Sequence, residues 1–235
     1  MVKAQTVDEE LVPSPTNDKP GGHSGELVKR FPVLGDPDWR ERAHAARAKD
    51  IEPELLEALA RDDDYVVRHV ASRHPALPLE LLQALAADPN AENRQLLSMR
   101  PELPAPVQCV CAQDPDKENR RAMLKREHIA PEALRILAAD TELPYIRIAA
   151  IRHPDCPPDV HIEVAKDPRP KLRYWVANHT SAPRELLGQM ADSDPDGKVA
   201  HRARQNLDGT MRPLTPSERR ALLNGTGEED EDTDS

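Results

Sequence analysis

Residues 66–75 read VVRHVASRHP, with His69 and His74 five positions apart and Arg68 and Arg73 beside them. Imidazoles and guanidiniums at this density suit metal ligation, proton transfer or phosphate binding. A second cluster, HPDCPPDVH, offers His153, Cys156 and His161. Its spacing is not that of a zinc site, and a fourth ligand is missing. Cys109 and Cys111 stand two apart on a predicted helix and so point to nearly opposite sides. No Ser/His/Asp set, glycine-rich phosphate loop or pair of carboxylates stands at catalytic spacing. The sequence therefore predicts no catalytic residue, no metal site and no cofactor, and a protein that is not an enzyme.

The elements that carry these residues are repeats. Asp36, Asp62, Asp88, Asp114, Asp140, Asp167 and Asp194 mark spacings of 26, 26, 26, 26, 27 and 27 residues. With each Asp as position zero, position 6 is Arg42, Arg68, Arg94, Arg120, Arg147 and Arg173, the fifth after a one-residue insertion near TELP. Position 24 is alanine in all six repeats: Ala60, Ala86, Ala112, Ala138, Ala165 and Ala191. Leucine, valine, methionine or cysteine fills position 23, and apolar residues fill positions 9 and 19. A repeat of this length predicts a solenoid. Each unit reads as a short helix opened by Asp-Pro, a proline-containing turn such as RHPALP, and a second short helix such as LPLELLQALAA. Neither helix buries its apolar stripe alone, so the units must stack.

This pattern places most of the chemistry-bearing residues in structural columns. Cys156 shares the turn column of Ile51, Leu77, Leu103 and Ile129, and Cys111 fills a leucine column. His161 shares the column of Leu56, Leu82, Leu134 and Leu187. His74, His153 and His179 stand at position 12, where each is expected to cap the last carbonyls of the first helix. His153 and His179, in adjacent units about 8–10 Å apart, are too distant to share a metal.

Composition agrees with a punctuated helical chain. Aromatics are 3% of the 235 residues and prolines number 24, about twice the usual ~5% share. The net charge of -10 is unevenly placed: EEDEDTDS at the C-terminus holds six acids and no base, while residues 36–227 hold 31 acids and 28 bases. Three cysteines make no disulfide framework. No apolar run approaches a membrane span, and the opening MVKAQTVDEELVPSP has no apolar signal core. The expectation is a cytoplasmic monomer with reduced thiols and no membrane contact. Residues 1–35 and 226–235 read as disordered, 36–207 as the repeat array, and 208–225 as a capping helix, with a capping box at Thr215 and Glu218 and a stop at Gly225. The ends of the array read as caps: Glu41 and His44 replace apolar residues in the first unit, and Ala200 and Arg202 break the pattern in the last.

The unit D-x-x-x-V-V-R-x-V-A-x-x-x-x-x-L-P-x-x-L-L-x-x-L-A resembles the leucine-rich repeat variant family and, more loosely, HEAT-like repeats of the ARM type. Asp62 with Val67-Arg68, Asp114 with Arg120, and Asp167 with Leu172-Arg173 carry the resemblance, which covers about residues 36–207. It implies an all-α fold, a right-handed α-solenoid of about six two-helix repeats of 26–27 residues, with some of the shorter helices 3₁₀. It implies a binding scaffold more than a chemistry. Some proteins of this kind carry an N-terminal cysteine cluster; this chain has no cysteine before residue 109, so no iron–sulfur cluster is implied.

Two sets of side chains are singled out. The first is a structural ladder in which each position-6 arginine pairs with a repeat aspartate within or between units: Asp62, Arg68, Asp88, Arg94, Asp114, Arg120, Asp140, Arg147, Asp167 and Arg173. The second is a ridge at positions 4, 7 and 11, which share one helix side. Its expected contacts are Arg40, Arg47, His69, Arg73, Gln95, Arg121, Lys125, Tyr145, Arg152, Lys171, Tyr174 and Lys198. Across these three positions eight bases face two acids, and the residues change from unit to unit. A basic ridge suits a protein partner with an acidic segment, or alternatively a nucleic-acid backbone, as in DNA-repair proteins with HEAT-like repeats. The acidic tail would lie on the same ridge and mask it.

Overall fold

The computed structural model describes residues 22–214. Among these residues the regular elements are all helical, with fourteen α-helices, one 3₁₀ turn and no strand. α1 (Gly25–Arg30) and the 3₁₀ turn Pro32–Gly35 precede the array. The repeats then run α2 (Trp39–Ala45), α3 (Pro53–Ala60), α4 (Tyr65–Ala71), α5 (Leu79–Ala86), α6 (Ala91–Ser98), α7 (Ala105–Cys111), α8 (Lys117–Met123) and α9 (Pro131–Ala138). They continue with α10 (Pro144–Ile151), α11 (Pro158–Val164), α12 (Pro170–Ala177), α13 (Arg184–Ser193) and α14 (Gly197–Leu207). Two compact units divide the chain between Asn119 and Arg120, inside α8.

Helices of seven or eight residues do not hold in water by propensity alone. Packing of their apolar stripes holds them here. In α9 the buried residues are Ala133, Leu134, Leu137 and Ala138, two adjacent pairs one turn apart. α5 buries Leu81, Leu82, Leu85 and Ala86 in the same way. In the first unit α2, α4 and α6 pack in series, and α3, α5 and α7 form a second series against them. In the second unit α10, α12 and α14 pack in series, with α9, α11 and α13 against them. The position-24 alanines are buried except Ala165, which is half-buried, so the layers approach closely where sequence puts the smallest side chain.

The helix starts differ from the sequence expectation. The repeat Asp does not cap the helix. Its Oδ1 accepts the backbone N–H two residues on, at 2.8 Å in Asp36, Asp88 and Asp114 and 2.9 Å in Asp62. The cap is the residue at position 2: Asp38, Asp64, Asn90 and Asp196 each accept a backbone N–H of the first turn. Proline at position 1 therefore lies in an Asx turn ahead of the helix. The physical reason is that the repeat Asp has a second task, receiving an arginine from the preceding unit.

Residues 24–35 are folded, not disordered. Ser24 caps α1, and the chain closes on the array through Leu34, fully buried, and Phe31. Arg30 pairs with Glu52 and Glu54, and His23 Nε2 lies 3.0 Å from Asp62 Oδ2. These contacts fall between residues 22–39 apart, which a local reading of a proline- and glycine-rich segment does not register. At the other end α14 stops in a Schellman turn. Gly209 takes φ +67°, its N–H donates to Asn206 O at 3.3 Å, and Thr210 N–H donates to Gln205 O at 3.0 Å. The expected helix around residues 215–225 and the acidic tail lie outside the described residues.

Candidate functional site

The position-6 arginines form a ladder between successive repeats. Arg42 Nε and Nη2 donate to Asp62 at 2.8 and 3.0 Å, Arg68 to Asp88 at 2.7 and 2.9 Å, and Arg94 to Asp114 at 2.8 and 3.1 Å. Arg173 holds Asp194 at 2.9 and 3.0 Å, and Arg120 reaches Asp140 at 2.9 Å and Glu142 at 3.0 Å. Arg147 Nη1 lies 3.0 Å from Asp167 and its Nε donates to Ala138 O. In four rungs Nη1 also donates to the carbonyl of the repeat's own Asp: Asp36, Asp62, Asp88 and Asp167. One guanidinium thus fastens its own helix start to the next. Burial raises the Asp62 and Asp88 carboxyls, but hydrogen bonds from His23 and Arg42, and from Arg68, win and hold both below the usual range. Hydrogen bonds from Arg169 bring Asp167 down to about 2. These carboxylates and guanidiniums satisfy each other and are poorly placed to bind a ligand.

A second ladder runs along the turns. His74 Nδ1 accepts the Ala76 N–H, so Nε2 carries the proton and donates to Ala48 O of the preceding repeat at 3.2 Å. Arg100 donates to Ser72 O and His74 O at 2.9 and 3.0 Å. In the second unit His153 Nε2 donates to Arg126 O at 3.0 Å, His179 to His153 O at 3.1 Å, and Asn206 to His179 O at 2.9 Å. The position-12 side chains therefore cap the neighbouring repeat's turn, not their own helix. Sequence reasoning saw the three histidines and missed Arg100 and Asn206, because the shared property of the column is donation, not residue type.

The two histidine clusters resolve accordingly. His69 is half-buried with Nδ1 3.1 Å from Asn93 Oδ1, and burial holds its pKa below the ordinary value. Cys156 is buried, which pushes its thiol up to about 12. His161 is fully buried in its leucine column, 4.5 Å ring to ring from His179, and apart from a poorly aligned contact with the Ile151 backbone neither of its nitrogens has a hydrogen-bond partner. Burial, with the neighbouring His179, pushes it down to about 4. Among the described residues no group of three or more His, Cys, Asp or Glu is placed to hold a metal ion.

The position-4, -7 and -11 side chains remain. In the first unit Arg40, Arg47, Arg73 and Gln95 are exposed. Arg40 stacks over Trp39 at 4.7 Å. In the second unit Arg121, Lys125, Arg152 and Lys198 are exposed, and Tyr145, Lys171 and Tyr174 are half-buried. Arg152 stacks on Trp175 at 4.4 Å, and Tyr174 meets Trp175 edge-on at 6.2 Å. The columns are not uniformly surface, since Ala43, Val66 and Ile148 are buried. Each of the three is apolar.

Grooves open on this face in both units. In the first, about 470 Å³ lies between Arg40, His44 and Arg47 on one repeat and Val66 and Val70 on the next. In the second, about 610 Å³ lies among Lys171, Tyr174, Lys198, His201, Arg202 and Gln205, with Arg212 and Leu214 closing one side. Another, of about 450 Å³, runs from Arg152 and Trp175 to Arg202 on the far side of residues 211–214. The Schellman turn at Gly209 directs those residues back over α12 and α14. Arg202, read from sequence as a cap irregularity, is buried between the two grooves.

No protein-family model matches the sequence, and no curated protein shows significant similarity to it.

Proposed function

We propose that this chain is a non-enzymatic repeat scaffold that binds a protein partner, through an acidic segment of that partner, along the position-4, -7 and -11 face. The observation that carries this reading is the division of labour among cations. The position-6 arginines are buried against carboxylates of neighbouring repeats, whereas the ridge cations other than Lys171 are exposed, and Arg40 and Arg47 in the first unit and Lys171 and Lys198 in the second line grooves. A face whose residues vary from repeat to repeat on a fixed frame is how repeat arrays read a partner. The resemblance of the Asp…Val-Arg unit to the leucine-rich repeat variant family supports the same reading, as a cytoplasmic monomer. Among the described residues no helix is long and apolar enough to cross a membrane.

Affinity capture with the full chain tests this, comparing wild type with Arg73→Glu/Arg121→Glu/Lys125→Glu/Arg152→Glu. Proteins retained by wild type and lost by the variant, at equal melting temperature, are the expected outcome. The same set retained by both would remove the reading. Tyr145 and Tyr174 between the bases keep a second reading, nucleic-acid binding, in view. A steep loss of duplex or single-strand binding with salt, abolished in the same variant, would favour it.

A further inference from the structure

Arg202 is buried, as are Arg42, Arg120 and Arg173. Each of those three holds a carboxylate. Arg202 holds none among the described residues: Nε and Nη2 donate to Asn178 Oδ1, Nη1 to Gln205 Oε1 at 3.2 Å, and Nη2 also to Arg212 O at 3.1 Å. All three acceptors are neutral, and one N–H of Nη1 is left over. The column it occupies is Val70, Leu96, Ala122, Ala149 and Trp175 in the preceding five repeats. A charge taken from water without a counter-ion is costly, and a carboxylate that accepts the remaining Nη1 N–H supplies one.

The groove beside it has the matching character. Lys198 and His201 are exposed on its wall and Tyr174 lies under the guanidinium, with Arg202 Cζ 6.0 Å from the ring centroid. Its one acid, Asp196, is already engaged through Oδ1 by the N–H groups of Lys198 and Val199. Pro170, Val199 and Leu214 add apolar wall. A small inorganic anion has no use for that wall; a peptide with alternating acidic and apolar side chains uses both.

Resting on the scaffold reading above, we infer that this groove is the anchoring subsite for the partner's acidic segment, with one of its carboxylates serving as the counter-ion of Arg202. The peptide lies between α12 and α14, its carboxylate paired with Arg202 and Lys198 and an apolar side chain against Tyr174 and Leu214.

The test is calorimetric titration of full-length wild type, Arg202→Gln and Lys198→Glu with an acetylated hexapeptide of alternating glutamate and leucine, and separately with inorganic phosphate. Wild type is expected to bind the peptide, with affinity falling at least tenfold in each variant and falling again on raising salt. Phosphate is expected to bind at least tenfold more weakly. Lys198 is exposed, so Lys198→Glu is expected to melt at the wild-type temperature, and the proposal stays testable if Arg202→Gln is unstable. Peptide affinity unchanged by both substitutions, or no peptide binding to wild type, would overturn the subsite. Phosphate binding as tightly as the peptide would overturn the peptide assignment. If the peptide fails while the ridge variant still loses its captured proteins, the subsite falls and the scaffold stands.

Discussion

At the scale of single residues, two kinds of buried polar group behave in opposite ways. The Arg94–Asp114 pair is bidentate and its guanidinium also holds Asp88 O, so removing one partner strands a carboxylate that is nearly out of water. Arg94→Ala should cost about 3 kcal/mol in urea unfolding. Replacing Arg94 and Asp114 together by apolar residues should cost less than the single change, because no charge is stranded. His161 is the converse. Neither of its nitrogens makes a well-formed hydrogen bond, in a site where four other repeats place leucine and one places Gln108. Its pKa falls from about 6.5 unfolded to about 4 folded, so the unfolded state binds more protons between these values. Stability is then full above pH 6.5 and lost as pH falls toward 4, by about 3 kcal/mol from this group. His69 and His179 are shifted the same way and steepen the loss. His161→Leu should raise the melting temperature at pH 5 more than at pH 8; an equal gain at both would separate the acid sensitivity from this ring.

At the scale of elements, periodicity made the array legible and local composition misled at its edges. Columns of alanine at position 24 and leucine at position 23 are visible because six copies are superposed in one chain, and they fall in the core as their spacing requires. The ridge was less legible. Spacing puts positions 4, 7 and 11 on one side but does not say which of them packing covers, and Ala43, Val66 and Ile148 are buried. Arg202 was seen only as a departure from pattern, because burial of a charge shows only once residues 211–214 are seen to fold back. The segment 24–35 was read from its prolines and glycines, yet Leu34 is fully buried and Arg30 and His23 bind residues of the first two repeats. Leu34→Ala should therefore cost about 2–4 kcal/mol. A change under about 0.5 kcal/mol, the usual value for a surface site, would show the segment is not part of the fold.

At the scale of the molecule, the ladders and the ridge divide the work. Within each unit, guanidinium–carboxylate rungs and donor–carbonyl rungs in the turns tie successive repeats together, which frees the position-4, -7 and -11 side chains to differ. A partner that reads those side chains must cover them. Hydrogen–deuterium exchange on the full chain, with and without a protein recovered by affinity capture, tests this most directly. Slowed exchange is predicted in α4, α10, α12 and α14 and in residues 211–214, with α3, α5 and α13 unchanged. Protection confined to α3, α5 and α13 would contradict the assignment of the binding face.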